Sequence, residues 1–154
     1  HLPTKGGSIR YYCNRYYAGR GVEVDDDDAA LYEPQTYRDF QRRIEHAGFA
    51  ARSLLRDLKK KYARIAGFGA SISCTTLLYH FGLADYITYL VDDNPAKQNR
   101  WSPGLPLKVL DVEYLYADEP DYVLCLAWRF ADEFKRKHPQ FKTIVPLPEL
   151  SWDD

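Results

Sequence analysis

The chain of 154 residues contains no methionine and only three cysteines, Cys13, Cys74 and Cys125. Their odd number and wide separation exclude both a disulfide framework and a cysteine zinc site. Unpaired thiols suit a reducing compartment, so a cytoplasmic location is expected. No apolar run is long enough to span a bilayer, and the first residues lack the basic and apolar regions of a signal peptide. Net charge is -1, from 21 basic and 22 acidic side chains, so neither nucleic acid nor an anionic membrane is an expected partner. With His1 at its start and no methionine, the sequence is expected to be a piece of a longer polypeptide.

What is present suits an ordinary globular domain. Hydrophobic residues make up 45%, and residues 1–154 are expected to form one domain with a real core. Tyrosine is abundant at 13, with pairs at Tyr11-Tyr12 and Tyr16-Tyr17. Half-buried strand positions account for such residues better than a base-stacking role. Gly6-Gly7 precedes an aromatic run, Ser8 to Tyr17, read as a strand. Gly19-Arg20-Gly21 and the acidic run Asp25 to Asp28 then form a loop, so that residues 1–35 are an N-terminal strand and acidic loop. The four carboxylates lack the alternating spacing of a calcium loop and read as a solvated charge run.

From Thr36 the hydrophobic period becomes helical: Tyr37, Phe40, Ile44, Ala47, Ala51, Leu55, Leu58 and Tyr62 recur at steps of three or four. Thr36 is the expected N-cap, Gly48 is expected to break or bend the helix, and Lys59 to Lys61 close it. Strands and helices then alternate. Strands are predicted at Ala63–Ala66, Tyr86–Val91, Leu107–Leu110, Tyr122–Leu126 and Thr143–Val145. Helices are predicted at Ser71–Phe81, Val112–Ala117 and Ala131–His138, with Gly82 ending the first, and Ala96–Pro106 is predicted as a loop. This pattern predicts an α/β, Rossmann-like, doubly wound domain. Its sheet is mostly parallel with helices on both faces, and one extra N-terminal strand adds at an edge.

In such a sheet ligands bind at the carboxyl ends of the strands. Three segments should converge there: the Gly67-Phe68-Gly69-Ala70 turn, the loop Asp92 to Gly104, and Ala127-Trp128-Arg129. The glycines let the backbone turn and approach a ligand closely, while Ser71, Ser73, Thr75 and Thr76 bring hydroxyls to a helix start that favours anions. The dinucleotide fingerprint is incomplete, because its third glycine falls at Ile72. Asp92 or Asp93 follows at the distance of a ribose-binding acid, which suits NAD or S-adenosylmethionine; equally, Asp92-Asp93-Asn94-Pro95 is a turn bonding its own backbone. Lys97 and Arg100 are candidates to neutralise a diphosphate, or ordinary surface bases. Trp101 is a stacking platform or a pin for its loop, and Trp128 and Arg129 are placed facing the cleft. No catalytic triad, metal-ligand set or general base can be read out.

These residues resemble the C-terminal domain of S-adenosylmethionine-dependent C-methyltransferases that act on nucleotide-linked deoxysugars. The resemblance covers almost the whole chain. It runs from Gly6-Gly7-Ser8-Ile9-Arg10 through Gly67-Phe68-Gly69-Ala70-Ser71, Thr76-Leu77-Leu78 and Val91-Asp92-Asp93-Asn94-Pro95 to Lys97-Gln98 and Ser102-Pro103-Gly104. It ends with Pro120-Asp121-Tyr122-Val123-Leu124 and Ala127 to Glu133. The chain departs from many relatives at Lys5, where they carry histidine, at Ser73-Cys74-Thr75, where several carry Lys-Gly-Asn, and at Asn99, where they carry glycine.

The resemblance implies a C-terminal piece of an enzyme with a zinc-binding N-terminal region and a central domain for S-adenosylmethionine, both outside these residues. It implies that this domain is not catalytically complete alone and that its partners are a nucleotide-linked sugar and the upstream methyltransferase domain. The turn at Gly67 would face the diphosphate, helped by Lys97 or Arg100. Two other readings stand beside it: a domain that itself binds NAD or S-adenosylmethionine, and a non-catalytic docking module.

Overall fold

The structure, a computed structural model, describes residues 29–153. The expected N-terminal strand, edge position and acidic loop lie outside these residues. The chain separates into two compact units, His1–Asp39 and Phe40–Asp154. In the first, a short 3-10 turn at Ala29–Tyr32 leads to helix α1 (Pro34–Lys60), whose remainder belongs to the second. Pro34 occupies the first helical position, where its missing N–H costs nothing. Thr36 is therefore inside the first turn and is not the N-cap; its hydroxyl donates to the carbonyl of Ala30 at 2.6 Å.

The second unit is built on a six-stranded sheet. Its strands are β1 (Ile65–Phe68), β2 (Leu90–Val91), β3 (Val109–Leu110), β4 (Tyr122–Cys125), β5 (Thr143–Val145) and β6 (Ser151–Trp152). The order is β3-β2-β1-β4-β5-β6, with every neighbour parallel except the antiparallel pair β5–β6. This is the order of the doubly wound Rossmann-like fold. The chain runs outward from β1 through β2 to β3, then returns to place β4 on the other side of β1.

Alternation along the strands divides the core in two. Ile65, Leu90, Val109, Leu124 and Ile144 face one way, against Ala51, Leu55 and Leu58 of α1 and Cys74, Leu77, Leu78 and Phe81 of helix α2 (Ile72–Phe81). Ala66, Phe68, Val91, Val123 and Cys125 face the other way. They meet Leu115 of helix α3 (Tyr114–Asp118) and Ala131 and Phe134 of helix α4 (Ala131–Lys137). Because both faces are covered, the strands carry apolar residues at nearly every position.

Several boundaries differ from those the sequence suggests, for local reasons. Helix α1 ends in a turn that engages the N–H groups of Lys61, Tyr62 and Ala63, so β1 begins at Ile65. Gly48 does not interrupt α1; a side chain there would lie 2.8 Å from the Phe81 ring, so the glycine is a close contact between helices. Between α2 and β2 a 3-10 turn at Ala84–Tyr86 takes the N–H groups of Tyr86 and Ile87, which shortens β2 to its last two residues. Gly82 closes α2 with φ 61°, as a C-terminal glycine should. The antiparallel strand β6 has no counterpart in the sequence reading. Among the described residues, no helix is long and apolar enough to cross a membrane.

Strand β6 is held by Asp153. Its carboxylate accepts from the Thr143 hydroxyl at 2.6 Å, the Thr143 N–H at 2.9 Å and the Lys135 ammonium at 2.9 Å. Burial opposes ionisation, but the hydrogen bonds from Thr143 and Lys135 outweigh it and bring Asp153 down to about 2. Stability from this group is present above the ordinary value of 3.8 and is lost as pH falls through about 2. Asp153→Ala leaves the buried Thr143 donors without an acceptor, and a loss of about 1–3 kcal/mol is expected in urea unfolding. The difference between the variant and the parent should shrink in unfolding curves recorded at progressively lower pH.

Candidate functional site

A cleft of about 300 Å³ opens where β1, β2 and β4 end. It lies at the switch in strand order, the place where open parallel sheets receive ligands. Its walls come from three directions. The β1–α2 turn supplies Phe68, Gly69, Ser71 and Cys74; the end of β2 and the loop beyond supply Asp92, Asp93 and Lys97; and α4 with its approach supplies Ala127, Phe130, Glu133, Phe134, Lys137 and His138.

The turn depends on Gly69. Its φ is +104°, and a Cβ there would stand 2.8 Å from the Ala127 Cβ and 3.1 Å from the Ala127 N. Gly67 has a different task. It lies inside β1, and a Cβ would meet Leu90 Cδ2 at 2.6 Å and Leu126 Cδ1 at 3.2 Å. The expectation that Gly67 belongs to the ligand-facing turn is therefore corrected: its missing side chain makes room for the core.

Asp92 is buried, 8% exposed, and turned inward. Its Oδ2 accepts the Ala70 N–H at 2.7 Å and the Lys97 ammonium at 2.9 Å, while Oδ1 accepts the Asn94 N–H at 2.9 Å. Burial works against its charge, yet the bonds from Lys97, Asn94 and Ala70 more than compensate and hold its pKa below the usual 3.8. The Asp-Asp-Asn-Pro segment is thus a turn closed by its own side chain, as one of the two sequence readings had it. Asn94 continues that turn by accepting the Ala96 N–H at 3.0 Å. Asp93 is exposed and lines the cleft.

The hydroxyls at the start of α2 are mostly engaged within the helix. Ser71 is the N-cap, accepting the Cys74 N–H at 3.4 Å, and its Oγ lies 2.8 Å from that of Ser73. Thr75 and Thr76 donate back to the carbonyls of Ser71 and Ile72 at 3.2 and 3.0 Å, so they are not aimed at the cleft. Arg100 donates to the Ala96 carbonyl, and Trp101 is exposed and bridges to Lys108; neither lines the cleft. Arg129 lies over the Trp128 ring, 4.9 Å from its centre, and this pair also stands outside the lining. Asn99 adopts φ +60°, a conformation asparagine tolerates.

No residue of α4 is among the candidate site residues that the sequence suggests, although Ala131 to Glu133 belong to the run that carries the resemblance. Glu133 and Lys137 form an ion pair at 2.8 Å, and His138 Nδ1 lies 2.7 Å from the Tyr116 hydroxyl. The hydrogen bond that Lys137 donates to Glu133 raises the pKa of Lys137, with a further push from the charge of Asp93. The local signal for them was helical spacing: Phe134 and His138 share a face, with Glu133 and Lys137 beside it. Among the described residues no group of three or more potential ligands is placed to hold a metal ion.

Fold and cleft together define a doubly wound α/β domain with a cleft at the carboxyl ends of its strands. More narrowly, the chain belongs to the C-methyltransferase C-terminal domain family, whose profile matches residues 3–148. It is similar to the C-methyltransferase NovU of Streptomyces niveus, 31% identical over 119 residues. The aligned part is 73% of this chain and 28% of that relative, so the chain spans well under half of the relative's length.

Gly69→Ala forces a side chain into a left-handed position against the backbone of Ala127. The expected cost is about 1–3 kcal/mol in denaturant unfolding. Asp92→Ala strips the acceptor from the N–H groups of the half-buried Ala70 and the exposed Asn94 and from Lys97, and an expected loss of about 1–2 kcal/mol should show as a lower unfolding midpoint.

Proposed function

We propose that this domain is the substrate-holding part of an S-adenosylmethionine-dependent C-methyltransferase, and that its cleft receives a nucleotide-linked sugar. The observation that supports this is the position of the cleft, at the carboxyl ends of β1, β2 and β4 in a chain of this family. The methyl donor belongs to an upstream methyltransferase domain of the same polypeptide, as does any zinc site.

The residues of this chain do not fit the methyl donor. Ile72 stands where a dinucleotide-type turn needs its third glycine. The Ala70 N–H is taken by Asp92, the acid that would otherwise be free to reach a ribose. A C-methylation next to a keto group needs a base and a donor held in line. In this cleft Asp92 is committed to its own turn, Glu133 to Lys137 and His138 to Tyr116. The share of this domain is accordingly to bind and orient, with proton transfer assigned upstream and the whole enzyme at work in the cytoplasm.

Titration calorimetry of the 154-residue chain with thymidine diphosphate and, separately, S-adenosylmethionine tests the assignment. Heat of binding is expected with the nucleotide diphosphate and none with the methyl donor. Binding of S-adenosylmethionine without the nucleotide would overturn it.

A further inference from the structure

Two of the donors that a glycine turn offers a phosphate are already spent inside the protein. A phosphate oxygen at such a turn takes a backbone N–H from the start of the helix and a nearby lysine. Here the Ala70 N–H and the Lys97 ammonium both go to one oxygen, Asp92 Oδ2, at 2.7 and 2.9 Å. The second lysine of the cleft, Lys137, is bound to Glu133 at 2.8 Å. The charged lining consists of Asp92, Asp93 and Glu133 against Lys97 and Lys137, a negative excess that repels a diphosphate.

The remaining wall is apolar and aromatic. Phe68 and Phe134, with ring centres 4.5 Å apart, are buried, while Phe130 lines the cleft and is 59% exposed. The same cleft is lined by Asp93, which is exposed. An open aromatic face with a carboxylate acceptor suits a ring that has one apolar face and hydroxyls at its edge.

We propose, resting on the substrate-holding reading above, that Asp92 itself fills the anion position of the Gly69 turn. The cleft therefore takes an uncharged, hydroxyl-bearing ring against Phe130, with the phosphates of its ligand outside the turn. The ring is the pyranose or the nucleoside of a nucleotide-linked sugar, and its hydroxyls donate to Asp93.

Calorimetry of the full chain with thymidine diphosphoglucose, thymidine diphosphate and inorganic pyrophosphate tests this. The nucleotides are expected to bind and pyrophosphate is not; pyrophosphate bound as tightly as thymidine diphosphate would overturn the proposal. Phe130→Ala should weaken thymidine diphosphoglucose, which carries both rings, at least about fivefold, as loss of a stacking partner does; unchanged affinity would count against the ring position. Tighter binding of the glucose derivative than of thymidine diphosphate assigns the ring as the pyranose, and equal binding as the nucleoside.

Asp92→Ser vacates the anion position, and pyrophosphate binding is expected to rise at least about tenfold. D92N, which keeps the volume and removes the charge, stands in if D92S does not fold by circular dichroism, with a gain in the same direction. A folded variant that gains nothing would sink the idea that Asp92 occupies the position. If no nucleotide binds the parent chain, the substrate-holding reading fails, while the pyrophosphate arm still decides the role of Asp92.

Discussion

The carboxylate of Asp92 ties together two of the three pieces of backbone that shape the cleft, the turn after β1 and the loop after β2. Register brings them into range: Phe68 pairs with Val91, so the Gly69–Ala70 turn leaves β1 beside the residue that leaves β2. The Gly69 N–H then bonds the Val91 carbonyl at 2.8 Å, and the Ala127 N–H bonds the Phe68 carbonyl at 3.1 Å, which aligns the ends of β2, β1 and β4. Into that frame Asp92 places a buried negative charge with donors from Ala70, Asn94 and Lys97. Such a charge is tolerated only while its donors surround it. The turn, the loop after β2 and the position of Lys97 are therefore coupled.

The opposite end of the strands is fastened by another acid. Arg64, just before β1, reaches the Asp118 carboxylate at 3.1 Å and the carbonyls of Asp118 and Glu119 at 2.9 and 2.7 Å, where α3 ends with Glu119 in a left-handed conformation. The Tyr89 hydroxyl donates to the same carboxylate at 2.9 Å; burial, with this bond, raises its pKa. Arg64 also donates its backbone N–H to Asp121, just before β4. The amino ends of the strands are thus closed by side chains bonding to neighbouring segments, while the carboxyl ends are left open around a cleft.

Much of this was legible because strand and helix periods are local. The near-continuous apolar runs at Tyr122–Cys125 and Thr143–Val145 announce buried parallel strands, and Gly82 announces the end of α2. The errors arise where backbone groups have competing partners. The 3-10 turn at Ala84–Tyr86 and the closing turn of α1 take N–H groups that a pattern of side chains cannot assign. The two-residue strand β6 carries no period at all, and it is held by Asp153 from beyond its own end.

The sequence by itself determined the alternation of strands and helices, the glycine turn near Gly69 and the family, because each rests on residues close together or on an order of motifs along the chain. The tertiary structure alone decided which polar groups remain available. Asp92 and Asp93 are adjacent and chemically identical, yet one is turned into the Ala70 N–H and Lys97 and the other faces the cleft. Gly67 and Gly69 are two residues apart, yet one fits the core and the other bends the chain. Phe130, Glu133 and Lys137 join the site only when α4 packs beside the end of β1. In each case the partner lies far away in sequence, and only folding brings it within hydrogen-bonding or van der Waals distance.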